Sequence, residues 1–224
     1  MKRLIFACVA LLSASAAIAQ AKSVPLAGTD YTVLETPQPT STGDKIEVVE
    51  VFSYACIHCF DFVPYIDAWQ KRLPKEAQFI LMPAIFGNPS WEALARAFYV
   101  GEVLGVAKSK THNVIFERNF RQNKPPMSSL DELGAFFEAN FGVKNATFQQ
   151  TAMSFAVETK VRRADEMSRR YRVAGTPTMI VNGKYVVNVG KSGLQSVIDT
   201  VEYLVAKEVA AKKASKPAPT KKAA

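Results

Sequence analysis

The spacing of apolar and polar positions divides the chain into a strand-bearing block, a helical block and a second strand-bearing block. Ile46 to Ser53 (IEVVEVFS) is rich in β-branched residues and reads as a central strand. It runs directly into Tyr54-Ala55-Cys56-Ile57-His58-Cys59. Beyond these, Phe62, Ile66, Trp69 and Leu73 share one helical face, and Pro74 marks the stop. Cys56 therefore falls where a strand ends and the first turn of a helix begins. Pro64 lies inside that helix and is expected to kink it, since proline lacks the backbone donor and crowds the preceding turn. Gln78 to Met82 is the next strand candidate.

From Pro83 to about Val157 the periodicity is helical only. Trp91, Leu94, Ala95 and Phe98 form one stripe, and Phe116 and Phe120 belong to another segment. Ser129 with Glu132 makes a capping box ahead of Leu130, Leu133 and Phe137. A longer helix carries Val157, Val161, Ala164, Ser168 and Tyr171. The period then returns to two. Gly175-Thr176-Pro177 leads into Thr178 to Val181, a turn at Asn182-Gly183, and Tyr185 to Val187. That pattern predicts a β-hairpin, Asn-Gly being the strongest short turn signal. Ser192 to Ala210 reads as a closing helix, with Gly193 leaving its start open. The expected architecture is an α/β fold built from 20–84 and 158–210, with 85–157 as an inserted all-helical domain.

The two ends change the picture of charge. Met1-Lys2-Arg3 followed by an apolar run and Ala17-Ile18-Ala19 reads as a secretory signal peptide over 1–19, too short to span a membrane. Cys8 would leave with it. Residues 211–224 (AKKASKPAPTKKAA) hold five lysines, no acid and no large apolar side chain, and read as a disordered tail. The formal net charge of +8 thus sits mostly at the ends, and the domain between is left at about +1. The charge therefore gives no case for a nucleic-acid-binding surface.

Two of the three cysteines remain after removal of the signal segment, in a single C-x-x-C. A four-residue loop would constrain the unfolded chain by only about 2 kcal/mol, so stapling is a poor reason for the pair and redox chemistry a better one. A zinc site would need four ligands, whereas the chain has two histidines, one of them, His58, inside the motif itself. No metal or cofactor is expected. His112, on a polar helix face, reads as a surface residue.

Taken together, Cys56-Ile57-His58-Cys59 after a strand, Thr176-Pro177 before a hairpin, and the helical block between them resemble the DsbA family of the thioredoxin superfamily. The resemblance covers Tyr31 to Ala210. The 118 positions from Cys59 to Pro177 exceed the gap of plain thioredoxins, and the insertion accounts for the difference. The resemblance implies a thioredoxin-like fold with an inserted helical domain and a disulfide oxidoreductase activity. It also implies a cis peptide at Thr176-Pro177 facing the cysteines, and a buried acid, Glu50, that helps move the Cys59 proton. Substrates would be reduced or unfolded exported proteins in the periplasm, and the reoxidant a membrane quinone-linked protein of the DsbB type.

The residues support a division of labour. Cys56 at a helix N-terminus meets unpaired N–H groups and the positive end of the helix dipole, both favouring the thiolate. His58 in the same turn can add a donor or a charge. Cys59, one turn in, would be buried and act as the resolving thiol. An alternative for Glu50 is an edge-strand carboxylate paired with a lysine. Ile57, in place of the usual proline, and Thr176, whose hydroxyl can bond a sulfur, both tune redox poise. An isomerase or reductase on the same scaffold is the competing reading, with a peptide-binding chaperone module behind it. The segment before Ile46 is too short for an extra dimerisation domain, which favours a monomeric oxidase.

Overall fold

The computed structural model describes residues 23–215 apart from Ala107, Asn123 and Lys191. The signal segment 1–19, with Cys8, and the last nine residues of the basic tail lie outside the described residues.

Among the described residues five strands form one mixed sheet: β1 (Thr32–Val33), β2 (Ile46–Phe52), β3 (Ala77–Pro83), β4 (Thr178–Val181) and β5 (Tyr185–Asn188), in the order β1-β5-β4-β2-β3. β2 runs parallel to β3, with Glu50 opposite Leu81, and antiparallel to β4, with Glu50 opposite Met179. The other pairs are antiparallel. All seven residues of β2 are buried, because the strand is interior and both faces of the sheet are covered.

On one face α1 (Ile57–Gln70) and α7 (Gly193–Ser215) bury Phe62, Ile66, Trp69, Val201 and Leu204 against Ile46, Val48, Met179 and Val187. The other face carries α2 (Pro89–Val103), α3 (Lys108–Phe120), α4 (Leu130–Phe141), α5 (Asn145–Ala152) and α6 (Phe155–Arg170). There Leu94, Phe98, Phe116, Phe137, Phe148 and Val161 belong to the same core as Val49, Val51 and Phe52 of β2. The helical block therefore has no core of its own, and it forms the second cover of the sheet.

Local sequence explains the element ends. Ser129 caps α4 and Glu132 returns the bond, the reciprocal pair read from the sequence. Asn88 caps α2, with Pro89 in its first turn. Asn182 and Gly183 both adopt positive φ (52° and 63°) in the hairpin turn, and a Cβ on Gly183 would stand 2.1 Å from the Gln38 carbonyl oxygen. α1 continues through Pro64 as one helix and ends at Gln70, short of Leu73.

Several boundaries differ from the periodicity. α6 begins at Phe155 behind the Ser154 cap, so a division at 157 falls inside a helix. α7 continues to Ser215, past Ala210, and in this last stretch Lys212 reaches Asp44 and Lys213 pairs with Glu76 at 3.4 Å. Those acids, far away in sequence, give the lysines partners that composition does not show. β1 and α5 carry patterns too short for periodicity to register.

Candidate active site

The site lies at the C-terminal ends of the parallel strands β2 and β3. After Phe52 the chain turns through Ser53-Tyr54-Ala55 and enters α1 with Cys56 as its N-cap residue (φ −102°, ψ 114°). The turn is held by its own atoms: Ala55 N–H donates to Ser53 Oγ (3.1 Å) and Cys56 N–H to Ser53 O (3.0 Å). An N-cap side chain faces the first unpaired N–H groups of its helix, and here that side chain is a thiol.

Both cysteines are in the free thiol form, Cys56 half-exposed and Cys59 fully buried. Their electrostatics are opposed. The Cys56 thiol is lowered from 9.0 to about 5: the hydrogen bond from Cys59 contributes most, partial burial opposes it, and the Thr176 side chain and the N–H groups of Cys59 and His58 add to the lowering. Burial pushes Cys59 far above its ordinary value, and the bond to Cys56 and the charges of Glu50 and Cys56 act in the same direction. One sulfur is made a good thiolate and the other is kept a thiol.

Thr176-Pro177 is a cis peptide. It comes from a position 120 residues away from Cys56 in sequence, and the Cys56 thiol donates to the Thr176 carbonyl at 3.3 Å. Thr178, buried at the start of β4, binds the Gly175 carbonyl at 2.8 Å and so closes the turn that presents Thr176.

Glu50 is buried on β2. It lies on an interior strand, and among the described residues no lysine or arginine pairs with it. Its carboxyl is raised from 4.5 to about 8, mainly by burial, then by the charges of Cys56 and of Asp67 on α1. At neutral pH it is therefore mostly a protonated acid beneath the cysteines.

His58 has a side chain 74 % exposed, 4.0 Å from the Asp61 carboxylate. What residue 58 supplies to Cys56 is its backbone N–H. His112, read from the sequence as a surface residue, is mostly buried. Its ring packs edge-on to Phe52 and Phe116 at 5.0 and 4.8 Å, and its Nδ1 lies 3.3 Å from the Tyr54 hydroxyl. Burial lowers it from 6.5 to about 4, so it is neutral at pH 7. The reason for the difference is tertiary: α3 turns that face toward the active-site turn. Asn119, which no sequence signal distinguishes, donates from Nδ2 to the Tyr54 carbonyl at 2.9 Å.

A thioredoxin-type sheet that carries a C-x-x-C at a strand-to-helix turn, facing a cis-proline, with one acidic and one buried thiol, defines a thiol–disulfide oxidoreductase. The profile of the DSBA-like thioredoxin domain matches residues 47–202, and the chain belongs to that family. It is 38% identical over 199 residues to the thiol:disulfide interchange protein DsbA of Pseudomonas syringae pv. tomato, covering 88% of this chain and 91% of that one. The crystal structure of Pseudomonas aeruginosa DsbA superposes with a TM-score of 0.77 at 37% identity, covering 84% and 97% of the two chains. That of the oxidoreductase DsbA from Xylella fastidiosa gives 0.77 at 34%, covering 84% and 100%.

Proposed function

We propose that this chain donates its Cys56–Cys59 disulfide to reduced proteins exported to the periplasm. The observation that supports the direction is the asymmetry of the two thiols, with Cys56 lowered to about 5 and Cys59 raised. A substrate thiolate attacks Cys56 Sγ, the Cys56–Cys59 bond breaks, and Cys59 leaves with the electron pair. Glu50, protonated at neutral pH, supplies the proton that the buried Cys59 sulfur takes up. A second substrate thiolate then attacks the sulfur already joined to Cys56, and Cys56 departs as a stabilised thiolate. The substrate loses two electrons and gains a disulfide; the enzyme is left as Cys56 thiolate and Cys59 thiol, and the Glu50 carboxylate takes a proton back from solvent.

Stabilising the Cys56 thiolate stabilises the reduced enzyme, which favours oxidation of the partner over its reduction. The backbone next to Pro177 offers an extended substrate an edge to pair with, beside the sulfur that reacts. Return to the disulfide form needs an oxidant for the dithiol, and a membrane quinone-linked protein of the DsbB type fits this need. We place the chain in the periplasm as a monomer, after removal of 1–19.

The test is Cys59→Ala, which removes the resolving thiol. The expected result is accumulation of mixed disulfides through Cys56 with exported proteins, released by reductant. If Cys56 remains open to alkylation in cells and no adduct is recovered, the donor reading is wrong. A reductase would be recognised by an equilibrium with glutathione lying toward the enzyme disulfide.

A further inference from the structure

The active-site turn has a backbone support that neither the motif nor the mechanism uses. Asn119 lies at the C-terminal end of α3, 65 residues from Tyr54 in sequence, and is buried. Its Nδ2 donates to the Tyr54 carbonyl at 2.9 Å, and its Oδ1 accepts from Met127 N–H at 3.2 Å. The two partners fix the orientation of the amide, since a carbonyl can meet only the NH2 and an N–H only the oxygen. The Met127 bond also prevents the amide from turning away.

The peptide unit so held is the one that aims Cys56. The Tyr54–Ala55 unit is bonded at its oxygen by Asn119 and at its nitrogen by Ser53 Oγ. The next unit is bonded through Cys56 N–H to Ser53 O. With both units fixed, the backbone angles that carry Cys56 Sγ over the N–H groups of His58 and Cys59 are fixed as well. Remove Asn119, and the Tyr54 carbonyl is left buried without its donor, so the first unit is free to rotate toward another partner. The Ser53 bonds are local and would form in any such turn. The Asn119 bond ties the backbone of this turn to the helical cover, as the His112 contact with the Tyr54 hydroxyl ties its side chain.

We propose that Asn119 is a positioning residue of the redox centre: by clamping the Tyr54–Ala55 peptide it aims the Cys56 sulfur at the α1 N-terminus and couples the helical block to the reactivity of the thiol. The inference rests on the oxidoreductase reading above, and the glutathione equilibrium of the unaltered protein tests that reading separately.

The experiment compares Asn119→Leu and Asn119→Ala with Phe148→Leu, a core substitution in α5 away from the turn. Read out are the pH midpoint of Cys56 thiolate formation, the glutathione equilibrium constant and the denaturant midpoint. Either Asn119 variant is expected to raise the thiolate midpoint by about half a unit and move the glutathione constant about threefold toward the enzyme disulfide. Phe148→Leu should lose stability with both redox readings unchanged. A folded Asn119 variant that loses stability and keeps the wild-type thiolate midpoint overturns the proposal and leaves Asn119 a packing residue. Should neither variant fold, the unaltered protein decides. Its Asn119 side-chain amide resonances are expected to titrate with the Cys56 midpoint, and resonances flat across that titration overturn it.

Discussion

Glu50→Gln is expected to stabilise the protein at neutral pH while slowing its chemistry. The carboxyl titrates near 4.5 when the chain is unfolded and near 8 when it is folded. At pH 7 the unfolded state therefore holds an ionised carboxylate, whereas the folded state must keep the proton. Between these two pKa values stability falls by about 1.4 kcal/mol for each pH unit. At pH 7 the accumulated cost is about 3 kcal/mol, and none of it remains below 4.5, where both states are protonated. The glutamine side chain keeps the shape and cannot ionise, although burial of its amide returns part of the gain. The assay is urea unfolding of both proteins at pH 4, 5.5 and 7, in the oxidised and reduced states. The variant's advantage should be absent at pH 4, grow toward pH 7, and be larger in the reduced state, where the Cys56 charge adds to the burial of Glu50. An advantage independent of pH would mean that Glu50 is ionised in the fold. No advantage at all at pH 7 would refute the burial argument.

Three further outcomes follow from the same geometry. The ultraviolet absorbance of the Cys56 thiolate should titrate near pH 5, and equilibrium with glutathione should place the potential well above thioredoxin's value of about −270 mV; a value at or below about −230 mV would make the protein a reductase. His112 is lowered to about 4, below its unfolded 6.5, so it favours the fold above pH 6.5 and costs stability as pH falls toward 4, by up to about 3 kcal/mol. His112→Gln should flatten that part of the pH–stability profile measured by urea melts, and an unchanged slope would mean the ring is solvated. Arg96 is mostly buried and joins Glu92 of its own helix to Glu158 of α6 and to the Ala152 carbonyl. Arg96→Met should cost about 2 kcal/mol in denaturant melts by taking the donor from the Ala152 carbonyl and the cation from Glu92, while Glu158 keeps Arg162, with the thiolate midpoint unmoved.

Much of this protein is written in local pattern. The β-branched run 46–52, the helical stripes of α2, α4 and α6, the Ser129–Glu132 box and the Asn182-Gly183 turn are interactions among near neighbours, so their residue types reveal them. The same holds for Cys56, because a thiol between a strand and a helix must meet the helix N-terminus. Other features depend on which surfaces the chain brings together. His112 and Asn119 stand on a segment whose sequence is polar, and only the packing of α3 against the Ser53–Ala55 turn makes one a buried aromatic neighbour and the other a clamp. Glu50 could be read as an edge carboxylate with a lysine until the strand order placed it between β3 and β4, with no lysine or arginine paired to it among the described residues. Lys212 and Lys213 read as tail, whereas in the fold they lie in the last turns of α7 with Asp44 and Glu76 within reach. Burial and partnership across distant positions are properties of the assembled core. A side chain's type limits what such a position can do, and the fold decides whether it is reached by water, by a cation or by a carbonyl group.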